Sequence, residues 1–320
     1  MKPVLMLLVA FLLAPALPAP PAAQDETPFV LGVLRRDGVV FPFAAFDGKN
    51  WDSPWPADLR SAELPISLTD VPSRWWGKAG LPSRMTVWSD GAARGTVALD
   101  RPVVMMAACL RRMAVRTDYR STEVLPPPAE RPYPKDGLVI SGGQRIDAVE
   151  AVPRTSKEWP AAAVALIEPM DRAEQLAVDR FTDWEHPVKR SERRKVPVEL
   201  EALYRAPMDT EGWAVYHVEA VKRYPPGKDD EGCGLVTSAS GWMAIGPNGK
   251  MWRQIGARVT YCDRKGVTYF LPLGLIHARG RTYWVFQTSS YEIEAYDVVR
   301  PTPRLIEFET GYTAGSCGGI

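Results

Sequence analysis

Residue types suited to acid–base or nucleophilic chemistry are scarce in this chain. It holds three histidines, His186, His217 and His277. None sits in an HExxH pattern and no two share a ligand-pair spacing, so no metal site is expected. His217 is the most suggestive, because Glu219 lies two residues on and shares its face if the segment is a strand. A carboxylate there could orient the imidazole. Ser238 and Ser240, in Thr237-Ser238-Ala239-Ser240-Gly241, supply hydroxyls that a histidine base could activate. The stretch lacks the GxSxG elbow, and turn chemistry explains adjacent serines and glycine at least as well. Glu292 and Glu294 share a strand face, which a solvated edge accounts for. Gly142-Gly143 lacks the lysine and glycine spacing of a phosphate loop, so no cofactor is expected. These residues make a catalytic set only if β-loops distant in sequence converge.

Binding chemistry has other candidates. Trp51 and Trp55 lie near turns in a Pro/Trp-rich stretch and could form a contact surface, although burial gives the same composition. Lys189, Arg190, Arg193, Arg194 and Lys195 concentrate five cations around Glu192. That segment reads as a solvated linker or as a patch for an acidic partner or anionic lipid. Elsewhere charge is balanced, which excludes global attraction to nucleic acid.

The elements that must position these residues are mostly strands. Asp37-Gly38 predicts a hairpin between Phe29–Leu34 and Val39–Phe43, and Asp47-Gly48-Lys49-Asn50 a further turn. Short strands follow near 84–87, 95–99 and 102–107. Prolines from 125 to 135 read as a stiff linker. The best helix runs from about Trp159 to Phe181, with a kink expected before Pro169. Its spacing turns Ala173, Leu176, Ala177 and Phe181 inward and Asp171, Arg172, Glu174 and Asp179 to water. After Pro197 the period becomes two, with strands at 198–204 and 212–224. The latter has two apolar faces, which implies a buried strand or an aromatic contact surface. Asn248-Gly249 turns the chain, and strands at 251–262, 267–276, 281–289 and 291–299 follow, with 305–308 as a last candidate. Short returns favour an antiparallel meander.

The expected fold is therefore mainly β, of antiparallel sheets or a barrel with one minor helical segment; an irregular propeller also fits. Its regions are a signal peptide (1–23), a β-rich part (24–124), the Pro-rich linker (125–135) and a helix followed by a meander (136–320), which can share one domain with 24–124.

The signal reading rests on Lys2, the apolar run Val4–Ala14 and the Pro/Ala-rich stretch to Ala23. Eleven apolar residues fall short of the roughly 20 that span a bilayer. Nothing later predicts a crossing, although peripheral membrane contact is compatible. Export to the periplasm or the extracellular space permits disulfides among Cys109, Cys233, Cys262 and Cys317, with Cys233 or Cys262 the natural partner of Cys317. The expected function is a noncatalytic binding or accessory protein with a protein partner in the envelope or secreted fraction. A secreted hydrolase with a site assembled from distant β-loops is the alternative.

Overall fold

The computed structural model describes residues 26–56, 65, 67–107, 109–127, 132–180, 185–225, 234–264, 266–290 and 293–317. The signal segment, Cys233 and Glu292 lie outside them. The chain is mainly β with antiparallel sheets, as expected.

At the Asp37-Gly38 turn Gly38 adopts φ 77°, and β1 (Phe29–Arg35) folds back on β2 (Val39–Phe46). β3 (Trp51–Asp52) extends β2. Next come β4 (Arg84–Ser89), β5 (Ala92–Ala107), β6 (Leu110–Thr117) and β7 (Lys135–Ile140). The pairing order β1-β7-β4-β5-β6-β2 closes on itself through β1–β2, giving a six-stranded antiparallel barrel with β3 appended. Every residue of β1 and β2 is buried, because they face the barrel interior on one side and another sheet on the other. The strands expected at 95–99 and 102–107 are one strand, β5, with a register shift between Leu99 and Arg101.

The chain then passes through β8 (Ile146–Asp147) and β9 (Glu150–Ala151), which start two different sheets. After α1 (Glu158–Asp179) and α2 (Arg190–Arg193), the strands β10 (Glu199–Pro207), β11 (Ala214–Arg223), β12 (Leu235–Ile245) and β13 (Met251–Tyr261) form an antiparallel meander beside β9. A second meander joins β14 (Tyr269–Ala278), β15 (Arg281–Ser289), β16 (Ile293–Pro301) and β17 (Ile306–Ser316) to β8. The single meander expected from short returns is thus split, since β13 and β14 do not pair and the connection between them crosses from one sheet to the other.

Three cores stack these parts. One lies between α1 and the first meander and includes Leu166, Met170, Tyr216, Val218 and Met243. One lies between the meanders and includes Val215, Trp242, Trp284 and Phe286. One fills the barrel and the outer face of the second meander. β11 is covered on both sides, as its two apolar faces predict.

Two expectations are corrected. Cys317 pairs with Cys109 across 208 residues, so the C-terminal tail is fastened to the β5–β6 connection and not to Cys233 or Cys262. Cys262 is itself disulfide-bonded. The outward and inward faces of α1 also differ from the periodicity. Glu174 is 1% exposed and Asp171 is buried, whereas Leu176 is 53% exposed. The reason is the sheet opposite, which presents polar groups at that end. Lys222 Nζ lies 3.2 Å from Glu174 Oε2, Thr237 Oγ1 donates to Glu174 Oε1 at 2.5 Å, and the Tyr224 hydroxyl also donates to it. Arg193 Nε lies 3.4 Å from the same carboxylate. Removing one member of a buried charge set strands the others. Glu174→Ala should therefore lower unfolding free energy by about 3–5 kcal/mol in urea titration. A loss below about 1 kcal/mol, the range of an exposed pair, would show that the set does not hold α1.

Candidate functional site

The hairpin β12–β13 is in register from Leu235↔Tyr261 to Ile245↔Met251, and β11 pairs with β12 from Ala214↔Ile245 to Arg223↔Val236. Residues directly opposite share a face. Thus His217 lies beside Trp242, Glu219 beside Ser240, and Val221 beside Ser238, all turned toward the second meander. On β13 the next neighbours are Gln254, Gly256 and Arg258. Thr237–Gly241, expected as a turn, is the middle of β12.

Large rings fill one end of this face. His217 packs against Trp242 (4.9 Å between ring centres) and Phe270 (5.1 Å), and Trp242 meets Trp284 at 5.0 Å. Small residues occupy the other end, and there the two sheets leave a cleft of about 250 Å³. Glu219, Ser238, Ser240, Gly256, Arg258 and Tyr269 line it. A Cβ added to Gly256 would meet nothing closer than the Ser240 carbonyl oxygen at 3.9 Å, so this floor position opens directly into space.

Three of the four candidate residues, Glu219, Ser238 and Ser240, therefore converge. Glu219 Oε1 accepts a hydrogen bond from the Phe270 amide at 2.8 Å, tying the sheets together. Burial pushes its carboxyl above the usual carboxylate range, assisted by nearby Glu201 and opposed by that amide. Ser238 is 8% exposed, and its hydroxyl has no hydrogen-bond partner among the described residues. Glu201, at the rim, is gripped by Arg264 through two 2.7 Å bonds and by Arg223 at 2.8 Å. The Arg264 grip holds the Glu201 carboxyl below its usual range against the opposing effect of burial. Arg264 belongs to the crossing connection and takes φ 56°, so the ion pair fixes the cleft mouth.

His217 is placed differently. It is 1% exposed, does not line the cleft, and neither ring nitrogen has a hydrogen-bond partner among the described residues. No hydrogen bond joins any two of His217, Glu219, Ser238 and Ser240. The remaining candidates are structural in placement. Trp51 is buried against Phe29, Phe46 and Tyr283. Trp55 is 2% exposed, stacks near Trp76 and donates Nε1–H to the Met113 carbonyl at 2.9 Å. In the basic segment Arg193 is buried, donating to Gln175 and the Val188 carbonyl, while Arg190 and Arg194 pair with Asp171 and Lys195 with Glu192. Lys189 is exposed.

Gly256 and Arg258 were not among the sequence candidates. Counting back from the Asn248-Gly249 turn gives their pairing with Ser240 and Ser238, so a signal for them existed.

Burial lowers the His217 pKa to about 3. A folded-state value below the unfolded one gives stability present above about pH 6.5 and lost as pH falls toward 3. Over about pH 6 to 4 this ring should cost the wild type roughly 1.4 kcal/mol per pH unit. His217→Leu should remove that part of the slope in urea titrations; equal slopes would mean the ring is solvated. Compared with known proteins, the chain matches no family model, no curated protein and no solved structure.

Proposed function

We propose that this chain is a noncatalytic binding or accessory protein of the envelope or secreted fraction, and that the cleft between its meanders is the contact site. One observation carries the reading. Glu219, Ser238 and Ser240 converge on an open cleft of about 250 Å³ whose floor at Gly256 leads directly into space, yet no nucleophile–base hydrogen bond forms among them. A concave surface with a few polar groups and no assembled catalytic set suits binding. A hydrolase reading draws less support, because the one histidine near the site is sealed among rings and stays neutral down to about pH 3.

Export accords with the Cys109–Cys317 disulfide, which oxidising compartments permit, and with the absence, among the described residues, of a helix long and apolar enough to cross a membrane. The partner is a protein, and the burial of Trp51 and Trp55 moves the expected contact from those rings to the cleft.

The mature protein, isolated gently from its native fraction, should have the mass of a defined stoichiometric assembly. Gly256→Phe, which projects into the cleft from an open position, should abolish that assembly while leaving thermal unfolding within a few degrees of wild type, since its Cβ meets nothing closer than 3.9 Å. A clean monomer that turns over ester or glycoside substrates would favour the hydrolase. An assembly indifferent to Gly256→Phe would move the contact elsewhere.

A further inference from the structure

β13 borders the cleft and is also the outer strand of its sheet, pairing among the described residues only with β12. β17 packs against β2, β3, β5 and β6 of the barrel, and β9, β8 and β3 are two-residue strands that leave parts of β10 and β14 as further edge, while α1 lies against one face of β13. β13 runs for eleven residues without a register shift. Natural edges are commonly interrupted by bulges or prolines, and β13 has neither.

The direction of its backbone groups follows from the turn. The Gly246 amide donates to the Lys250 carbonyl at 2.8 Å, which makes 246↔250 a hydrogen-bonded pair. Antiparallel pairs alternate, so Trp252, Gln254, Gly256, Arg258 and Thr260 direct N–H and C=O toward β12. Arg253, Ile255, Ala257 and Val259 direct theirs outward. α1 packs near Ile255 and Ala257, while Met251, Arg253, Gly256, Arg258 and Tyr261 are exposed.

Charge on this hairpin has one sign. From Leu235 to Tyr261 the charged residues are Lys250, Arg253 and Arg258, with no acidic residue among them. None of the three makes an ion pair within the described residues, in contrast to Arg190, Arg193 and Arg194 of the basic segment.

We propose that the outer edge of β13 takes an acidic, extended segment of a partner protein, which adds as a further strand. Backbone bonds to 253, 255, 257 and 259 supply its affinity, and Lys250, Arg253 and Arg258 select acidic side chains. A residue of the added strand lying beside Gly256 has its side chain at the cleft mouth, so the edge and the cleft form one continuous surface. This rests on the binding reading and specifies the partner's chemistry. An anionic lipid surface would meet the same cations but would not use the outward amides.

The probe is a random dodecapeptide library displayed on phage and selected on the immobilised mature protein. Enriched peptides should be rich in Asp or Glu, with acidic side chains on the face of Lys250 and Arg258 and on the opposite face beside Arg253. With one such peptide bound, amide exchange at 253, 255, 257 and 259 should slow by at least about tenfold, while the amides facing β12 are already slow in the free protein. Arg253 is exposed and its amide points outward, so Arg253→Pro leaves the β12 pairing intact. It should weaken the peptide about tenfold, whereas Arg253→Gln, which keeps the amide, should weaken it about threefold. Equal effects of the two variants, unchanged exchange at the odd positions, or selection of no acidic peptide with tight binding to phosphatidylglycerol vesicles would overturn the proposal. If Gly256→Phe abolishes the native assembly while Arg253→Pro does not, the cleft reading stands and strand addition fails.

Discussion

The architecture depends on how two meanders are held face to face. Trp242, Trp284, Phe286, Phe270 and His217 interlock across the gap with ring centres about 5–6 Å apart. Rings of this size are suited to fill the usual gap of about 10 Å between face-packed sheets. They also bury a histidine whose nitrogens find no partner, a cost the surrounding packing must outweigh. Along the same strands, Ser240, Ser238 and Gly256 are too small to fill that separation. A cleft results from the order of residue sizes along β12 and β13, with no departure from regular pairing.

The first meander is also covered from behind. α1 takes up the face carrying Tyr216, Val218 and Met243, so β11 and β12 have no solvent side along most of their length. Polar groups on them must then be satisfied by neighbours. Glu174, Arg193, Lys222, Tyr224 and Thr237 satisfy one another on the helix side. On the other side the Phe270 amide holds Glu219 at the wall of the cleft. The polar groups of these strands thus divide between a buried cluster under α1 and the cleft between the meanders.

Much of the fold is legible in the chain because local signals agree with the outcome. Asp37-Gly38 and Asn248-Gly249 mark real turns, and the period-two pattern after Pro197 gives real strands. What is not legible depends on partners distant in sequence. Nothing local says that β13 and β14 join different sheets, or that Cys109 meets Cys317 over 208 residues. Asp171, Glu174 and Leu176 of α1 depart from the expected faces, while Arg172 and Asp179 stay exposed, because Lys222 and Tyr224 form a polar surface that helical periodicity cannot anticipate. The site was half legible: alternation places His217 with Glu219 and Ser238 with Ser240, but the register joining the two pairs requires the long β11–β12 connection to close. His217 stands out by type and yet belongs to the core, where its ring is one more aromatic in the stack.

The most direct measurement is site-specific photocrosslinking in the native fraction, with a benzophenone side chain in place of Tyr269, an exposed aromatic that already lines the cleft, and a control at exposed Phe308 on β17. The account predicts one discrete protein adduct from position 269 and none from 308. No adduct at 269, with adducts from the control, would contradict the placement of the binding surface at the cleft.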